Sequence, residues 1–147
     1  MTLPHHHEPA DRSHPAFRPN ADPFYAVVRE GLGDLVDGEH FCDAVAEDAE
    51  FEFRYVFAGF GPVIRGRAAY MDWFAGYDMQ IERADGLQVA HDADRGVVTL
   101  EYEVHGRTAA GRAHDNRFCS VVTLVDRRIV GWRDYVDSLA VVTALGG

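Results

Sequence analysis

From Met79 to Asp137 the chain is written largely in period two. Four runs, 79–91, 97–105, 113–125 and 129–137, alternate apolar with polar residues and are separated by the turn-forming stretches DADRG, GRTAAG and VDRR. Alternation of this kind sends successive side chains to opposite faces of a strand, and turn residues at the breaks favour antiparallel hairpins. A four-strand meander is the predicted result. A sheet of that length twists, and with only three short helices available to cover it, it curls around them into an open cone with a cavity at the wide end.

The helices are legible upstream. Asp22 is placed to cap a helix that Pro23 opens, with Phe24, Val27, Val28, Leu32, Leu35 and Val36 on one face and Gly38 at its end. A shorter helix follows with Phe41, Ala44 and Val45 inward. At Asp48 the period changes to two, and Phe51, Phe53, Tyr55 and Phe57 form one aromatic face of a strand. The loop 58–66 leads into a third helix carrying Ala69, Tyr70, Trp73, Phe74 and Tyr77 at helical spacing. The order is α-α-β-α-β-β-β-β, a single α+β domain over residues 22–147, preceded by a proline-rich tail, 1–21, expected to be poorly ordered. His5, His6 and His7 in that tail have no Cys partners or scaffold to fix a geometry, so no metal site is expected.

Composition excludes whole classes of chemistry. The chain has 147 residues, one domain's worth, and a formal charge of −10, which disfavours nucleic acid and anionic membrane as partners. All fourteen cations are Arg, so Schiff-base enzymes and P-loop NTPases, which need lysine, are ruled out. Its three serines, Ser13, Ser120 and Ser138, sit in no G-x-S-x-G setting, and Cys42 and Cys119 form no CxxC. Two isolated cysteines and no 18-residue apolar run are read as a cytoplasmic protein without a membrane span.

The helix pair, the DAEFEF strand, the I-R-G-R-A-A-Y helix start and the closing R-I-V-G-W-R-D-Y-V-D together resemble the nuclear-transport-factor-2-like (ketosteroid isomerase-like) superfamily over about residues 22–145. Within it the chain is most similar to the SnoaL-like polyketide cyclase branch, with a tail much like limonene-epoxide hydrolase. The resemblance implies the cone-shaped α+β barrel. It does not fix a reaction, since this fold carries isomerases, cyclases, dehydratases, epoxide hydrolases and non-catalytic binders. Two departures matter. Where ketosteroid isomerase has its base Asp and its oxyanion-hole Tyr, this chain carries Phe53 and Gly31. Of the epoxide hydrolase machinery only Asp134 survives: the Arg and second Asp positions hold Tyr102 and Val104, and the Tyr and Asn positions hold Phe51 and Phe53.

Strand alternation alone selects the candidate site. In the last strand Val130, Trp132, Asp134 and Val136 share a face, opposite Gly131, Arg133, Tyr135 and Asp137. A carboxylate between Trp and Val on a core-facing strand is desolvated, which raises its pKa and suits it to accept a proton near neutral pH. The residues alone leave a second reading equally open, an Asp held by an Arg or by backbone amides. The resemblance adds that Asp134 falls on the catalytic acid or base of the SnoaL-like cyclases and limonene-epoxide hydrolase. In the preceding strand Asn116, Phe118, Ser120 and Val122 share a face. A turn over Thr108–Ala110 with Gly111 left-handed pairs Asn116 with Val104 and Phe118 with Tyr102, which turns Tyr102 inward and leaves Glu101, Glu103 and His105 outside. A slip of one residue would instead bring Glu103 in.

Asp134, Tyr102 and Asn116 are therefore the catalytic candidates, the latter two as donors to a substrate oxygen or as internally bonded groups. Phe51, Phe53, Tyr55, Trp73, Phe74, Phe118 and Trp132 form the expected substrate walls around a cavity of several hundred Å³, on the order of a drug-sized pocket, with His114 at its rim. The expected function is cofactor-free acid/base chemistry, cyclisation, isomerisation or dehydration, on a hydrophobic polyketide- or terpenoid-like molecule. The alternative is a non-catalytic small-molecule binder, with an epoxide hydrolase third. The outer sheet face, with Val121, Thr123, Val125, Tyr135 and Cys119, is too apolar for water and predicts a homodimer.

Overall fold

The computed structural model describes residues 8–54, 63–77, 79–144 and 146. Its strands are β1 (Val45–Phe53), β2 (Val63–Arg65), β3 (Met79–Asp92), β4 (Val97–Thr108), β5 (Ala113–Val125) and β6 (Arg128–Val136). They form one sheet in the order β2-β1-β6-β5-β4-β3, antiparallel throughout except that β1 and β6 run parallel. The helices are α1 (Asp22–Leu32), α2 (Phe41–Ala44), α3 (Arg67–Ala75) and α4 (Ser138–Ala144).

The expected meander is present with its expected register. Val104 pairs with Asn116 and Tyr102 with Phe118, and Gly111 sits at φ 82 with its N–H bonded to Thr108 O. This phase buries Leu100, Tyr102 and Val104 and turns Glu101, Glu103 and His105 outward, so Glu103 is not a cavity residue. A register shift between Thr123 and Leu124 opposite β6 absorbs one residue and brings Ile129 fully inside beside Trp132. α1 lies close across the meander: a Cβ on Gly31 would stand 2.7 Å from Leu100 Cδ2, so any larger residue there would force the buried Leu100 side chain to shift.

Several elements depart from the sequence expectation. α1 ends at Leu32 rather than near Gly38, because Gly33 adopts φ 50 and a 3₁₀ turn, Gly33–Leu35, follows; Val36 nevertheless reaches the core. Asp22 is the first helical residue and makes no side-chain cap. β2 interrupts the segment read as a loop, and α4 follows β6, its start capped by Asp137 Oδ1 accepting from Leu139 N and Ala140 N.

The tail is the largest departure. Residues 8–21 are docked, with Ala10 and Ala16 buried and Phe17 packed against the core. The anchor is Asp43, itself buried, which receives Arg12 through both guanidinium nitrogens at 2.9 and 2.6 Å and the Ala10 N–H at 2.7 Å. Burial works to raise the Asp43 carboxyl, but Arg12 and the Ala10 N–H hold it below the usual carboxylate range. Further along, Arg18 stacks over the Phe74 ring and donates to Tyr77 O. Proline content marked this stretch as poorly ordered; it does not measure how well irregular backbone can be tied down by its own side chains. His5, His6 and His7 lie outside the described residues.

Candidate active site

Inside the cone the aromatic residues of α1, β1 and α3 pack on one another. Phe51 lies flat on Tyr70, with centroids 4.0 Å apart and 8° between planes, and Trp132 meets Phe41 at 5.2 Å. Phe53 and Trp73 approach to 4.7 Å. Between these groups a narrow slot remains, bounded by Phe53, Trp73, Phe74, Phe118, Tyr77 and Asp134 among others. Its free volume is about 30 Å³, room for about one water molecule. The expected cavity of several hundred Å³ is therefore absent among the described residues: the rings that were to line it fill it. A larger hollow of about 430 Å³ lies elsewhere, on the outer sheet face around Glu101, Arg117, Cys119 and Tyr135.

Among the described residues, Asp134 is the one carboxylate bordering the slot. On β6 it follows Trp132 by two residues, so both side chains share a face and the indole Nε1–H reaches along the strand to donate to Oδ1 at 2.7 Å. Ser120, directly opposite on β5, donates its Oγ–H to the same oxygen at 2.5 Å. Oδ2 makes no hydrogen bond among the described residues. Burial drives the carboxyl up to about 6, against the pull of the Ser120 and Trp132 hydrogen bonds, which favour the anion. The group is thus neither salt-bridged to Arg nor held by backbone amides.

Tyr102 extends this arrangement by one step. Its hydroxyl stands 2.8 Å from Ser120 Oγ, and since the single Ser120 proton is given to Asp134, Tyr102 donates to Ser120. Tyr102, Ser120 and Asp134 form a hydrogen-bonded row across β4, β5 and β6. Both Tyr102 and its neighbour Tyr70 are buried and held well above the ordinary phenol range by desolvation, so they stay neutral donors; Tyr77 is raised to about 12 by the same cause.

The remaining candidates are placed differently. Asn116 is committed to structure: its Oδ1 accepts from Arg117 N at 2.8 Å and Asp137 N at 3.0 Å, and its Nδ2 donates to Asp137 O at 3.3 Å. It fastens β5 to the end of β6 instead of facing a substrate, the internal bonding that was its alternative. His114 is not at a rim. It is buried, and desolvation lowers its pKa while the Ala140 backbone of α4 acts in the opposite direction. Phe51 and Trp132 stand one layer behind the slot, and Tyr55 lies outside the described residues. Ser120 is the participant that sequence reasoning passed over. Its signal was present: it shares the inward face of β5 with Phe118 and Val122, where a hydroxyl is costly unless it serves a partner.

The geometry agrees with what the chain is similar to. A model of the SnoaL-like domain matches residues 23–132. YesE of Bacillus subtilis (strain 168), an uncharacterised protein, is 35% identical over 104 residues, 69% of this chain and 71% of that protein. Among solved structures, a candidate isomerase from Bacillus subtilis superposes with a TM-score of 0.71 at 28% identity, covering 94% of this chain and 97% of the other. A candidate SnoaL-like polyketide cyclase from Jannaschia sp. CCS1 gives 0.60 at 18% identity over 87% and 92% of the two chains, a likeness of fold. With three quarters of its length inside the family model and its cone of sheet around helices matching the NTF2-like, ketosteroid isomerase-like fold, the chain belongs to the SnoaL-like domain family.

Proposed function

We propose that the chain is an acid/base enzyme in which Asp134 moves a proton on a small hydrophobic substrate held in the aromatic slot. The observation that carries this reading is the asymmetry of the carboxyl. Oδ1 is fixed by Ser120 and Trp132, Oδ2 is left to the slot, and a pKa of about 6 keeps the group mostly anionic near pH 7 yet able to hold a proton. Tyr102 acts through Ser120, stabilising the anion before transfer and following the proton balance afterwards; it positions and does not touch substrate. A slot with room for about one water molecule must widen to take any ring, by rotation of Trp73 and Tyr77, the partly exposed rings on its border, which favours a flat molecule of one or two rings over a polycyclic one. Proton abstraction beside a carbonyl, the shared first step of isomerisation, aldol cyclisation and dehydration, fits these parts.

The test is solvent exchange. Small cyclic ketones and 1,3-diketones are incubated in D2O with the protein and followed by NMR. Deuterium should enter the position beside the carbonyl, and Asp134→Asn should slow it by about 10²-fold or more. Ligands that bind without exchanging would assign the chain to non-catalytic binding instead.

The same reading includes a homodimer through the outer sheet face. Val125 and Tyr135 are exposed there, beside partly buried Val121 and Cys119. Sedimentation should find about 33 kDa, twice the 16.4 kDa chain, and Val121→Asp should return it to the monomer mass.

A further inference from the structure

On the outer face of the sheet, far along β5 from Val121 and Val125, two carboxylates are placed directly opposite each other: Asp85 of β3 pairs with Glu103 of β4. Like charges in that position repel, and a sheet does not put them there without compensation. Arg83 meets Asp85 at 2.7 Å and Arg117 meets Glu103 at 3.3 Å, but each approaches from the flank, and the space between the carboxylates is occupied by His105. Its Nε2 stands 3.3 Å from Asp85 Oδ1 and 3.6 Å from Glu103 Oε2. The second distance is too long for a hydrogen bond. Both match the edge of a tetrahedron of nitrogen and oxygen ligands around a zinc-sized ion, about 3.4 Å for bonds of about 2.1 Å.

We propose that Asp85, Glu103 and His105 form a binding site for a divalent transition ion of the zinc class. All three ligand atoms lie within 4.8 Å of one another. The orientation of the imidazole supports the assignment independently of the carboxylate pair. Nδ1 is 2.6 Å from Asp115 Oδ1 and Nε2 is hydrogen-bonded to Asp85 Oδ1 at 3.3 Å, so without a metal these carboxylates favour the protonated ring; an ion would displace the Nε2 proton, leaving Nδ1–H on Asp115 and the Nε2 lone pair between Asp85 and Glu103. A carboxylate behind the distal nitrogen is the arrangement that orients and strengthens a histidine ligand. Three protein ligands leave a fourth position open, and a hollow of about 300 Å³ bordered by Glu103, His105, Asp115 and Arg117 gives water or an anionic group access to it. The ion would join β3, the edge strand, to β4 at the point where the ladder shifts register between Asp85 and Gln88, clipping the edge at an irregularity of the ladder.

The experiment uses Zn²⁺ alone at pH 7.5, with the full chain carrying His5→Ala, His6→Ala and His7→Ala so that the terminal tract cannot compete. Calorimetry should give one ion per chain, and the His105 ring nitrogens should shift in step with saturation. Asp85→Asn should weaken binding at least tenfold, and Asp115→Asn by about 10- to 100-fold while removing no ligand. Zinc that leaves the His105 ring signals unmoved, or an affinity indifferent to Asp85→Asn, would overturn the assignment. The ring signals read the site in the chain with its three ligands intact, so a variant that fails to fold does not decide the outcome.

Discussion

Asp134→Asn should make the protein more stable, and by an amount that depends on pH. Asparagine keeps the oxygen that accepts from Ser120 and Trp132 but never ionises. In the native state the Asp134 carboxyl titrates at about 6 against an ordinary value of 3.8, a difference of 6 − 3.8 = 2.2. At 1.36 kcal/mol for each pH unit this is about 3 kcal/mol of native-state stability, reduced to about 2 by water at the slot opening. Because the folded value is raised, the native state binds the extra proton. Below about pH 3.8 both states are protonated and the carboxyl costs nothing. Stability falls as pH climbs from 3.8 to 6 and stays down above 6. Denaturant unfolding of both proteins at pH 3.5, 5 and 8 isolates the effect, because every other titrating group cancels in the difference. The gap in favour of the variant should open by about 2 to 3 kcal/mol between pH 3.5 and 8. A variant that is relatively less stable at pH 8 than at pH 3.5 would show that Asp134 is a structural anion and refute the reasoning.

Ser120→Ala removes one of the two hydrogen bonds that favour the Asp134 anion, so the carboxyl should titrate above 6, and the Tyr102 hydroxyl, left buried without its acceptor, should cost about 1 to 3 kcal/mol of stability. Arg12→Ala removes the guanidinium that meets both oxygens of the buried Asp43 carboxylate. Because Arg12 is itself about half exposed, at 47%, the loss should be modest, about 1 to 2 kcal/mol, and limited proteolysis should then cut within residues 8–21. Unchanged protection of that segment would mean that Ala10, Ala16 and Phe17 hold it without the ion pair.

The sheet was legible because its determinants are local. Period two in the last four strands fixes which side chains face inward, and the single glycine at 111 fixes the β4–β5 register, so the sequence alone puts Tyr102, Ser120 and Asp134 on one face. That Ser120 and Trp132 would both reach Asp134 was one inference further, available from strand pairing and the rule that a buried carboxylate finds donors. What periodicity could not supply was volume. The same alternation describes rings that line a cavity and rings that fill one, and only the interplanar contacts of Phe51 with Tyr70 and Phe53 with Trp73 decide between them. Nor could it supply the docked tail, which rests on the long-range pairing of Arg12 with Asp43, or the role of Asn116, which depends on the backbone of Asp137 turning into α4. The α4 start, by contrast, has a signal in the sequence: Asp137, a capping residue, stands before the mostly apolar run SLAVVTA.

The account depends above all on the state of one carboxyl group, and its titration can be read directly. With aspartate labelled at the side-chain carbon, the Asp134 resonance should move with a midpoint near 6 in the free protein. A midpoint at or below 3.9, the unperturbed value for Asp, would show that the hydrogen bonds from Ser120 and Trp132 outweigh burial, and would leave Asp134 as part of the scaffold and not as the base.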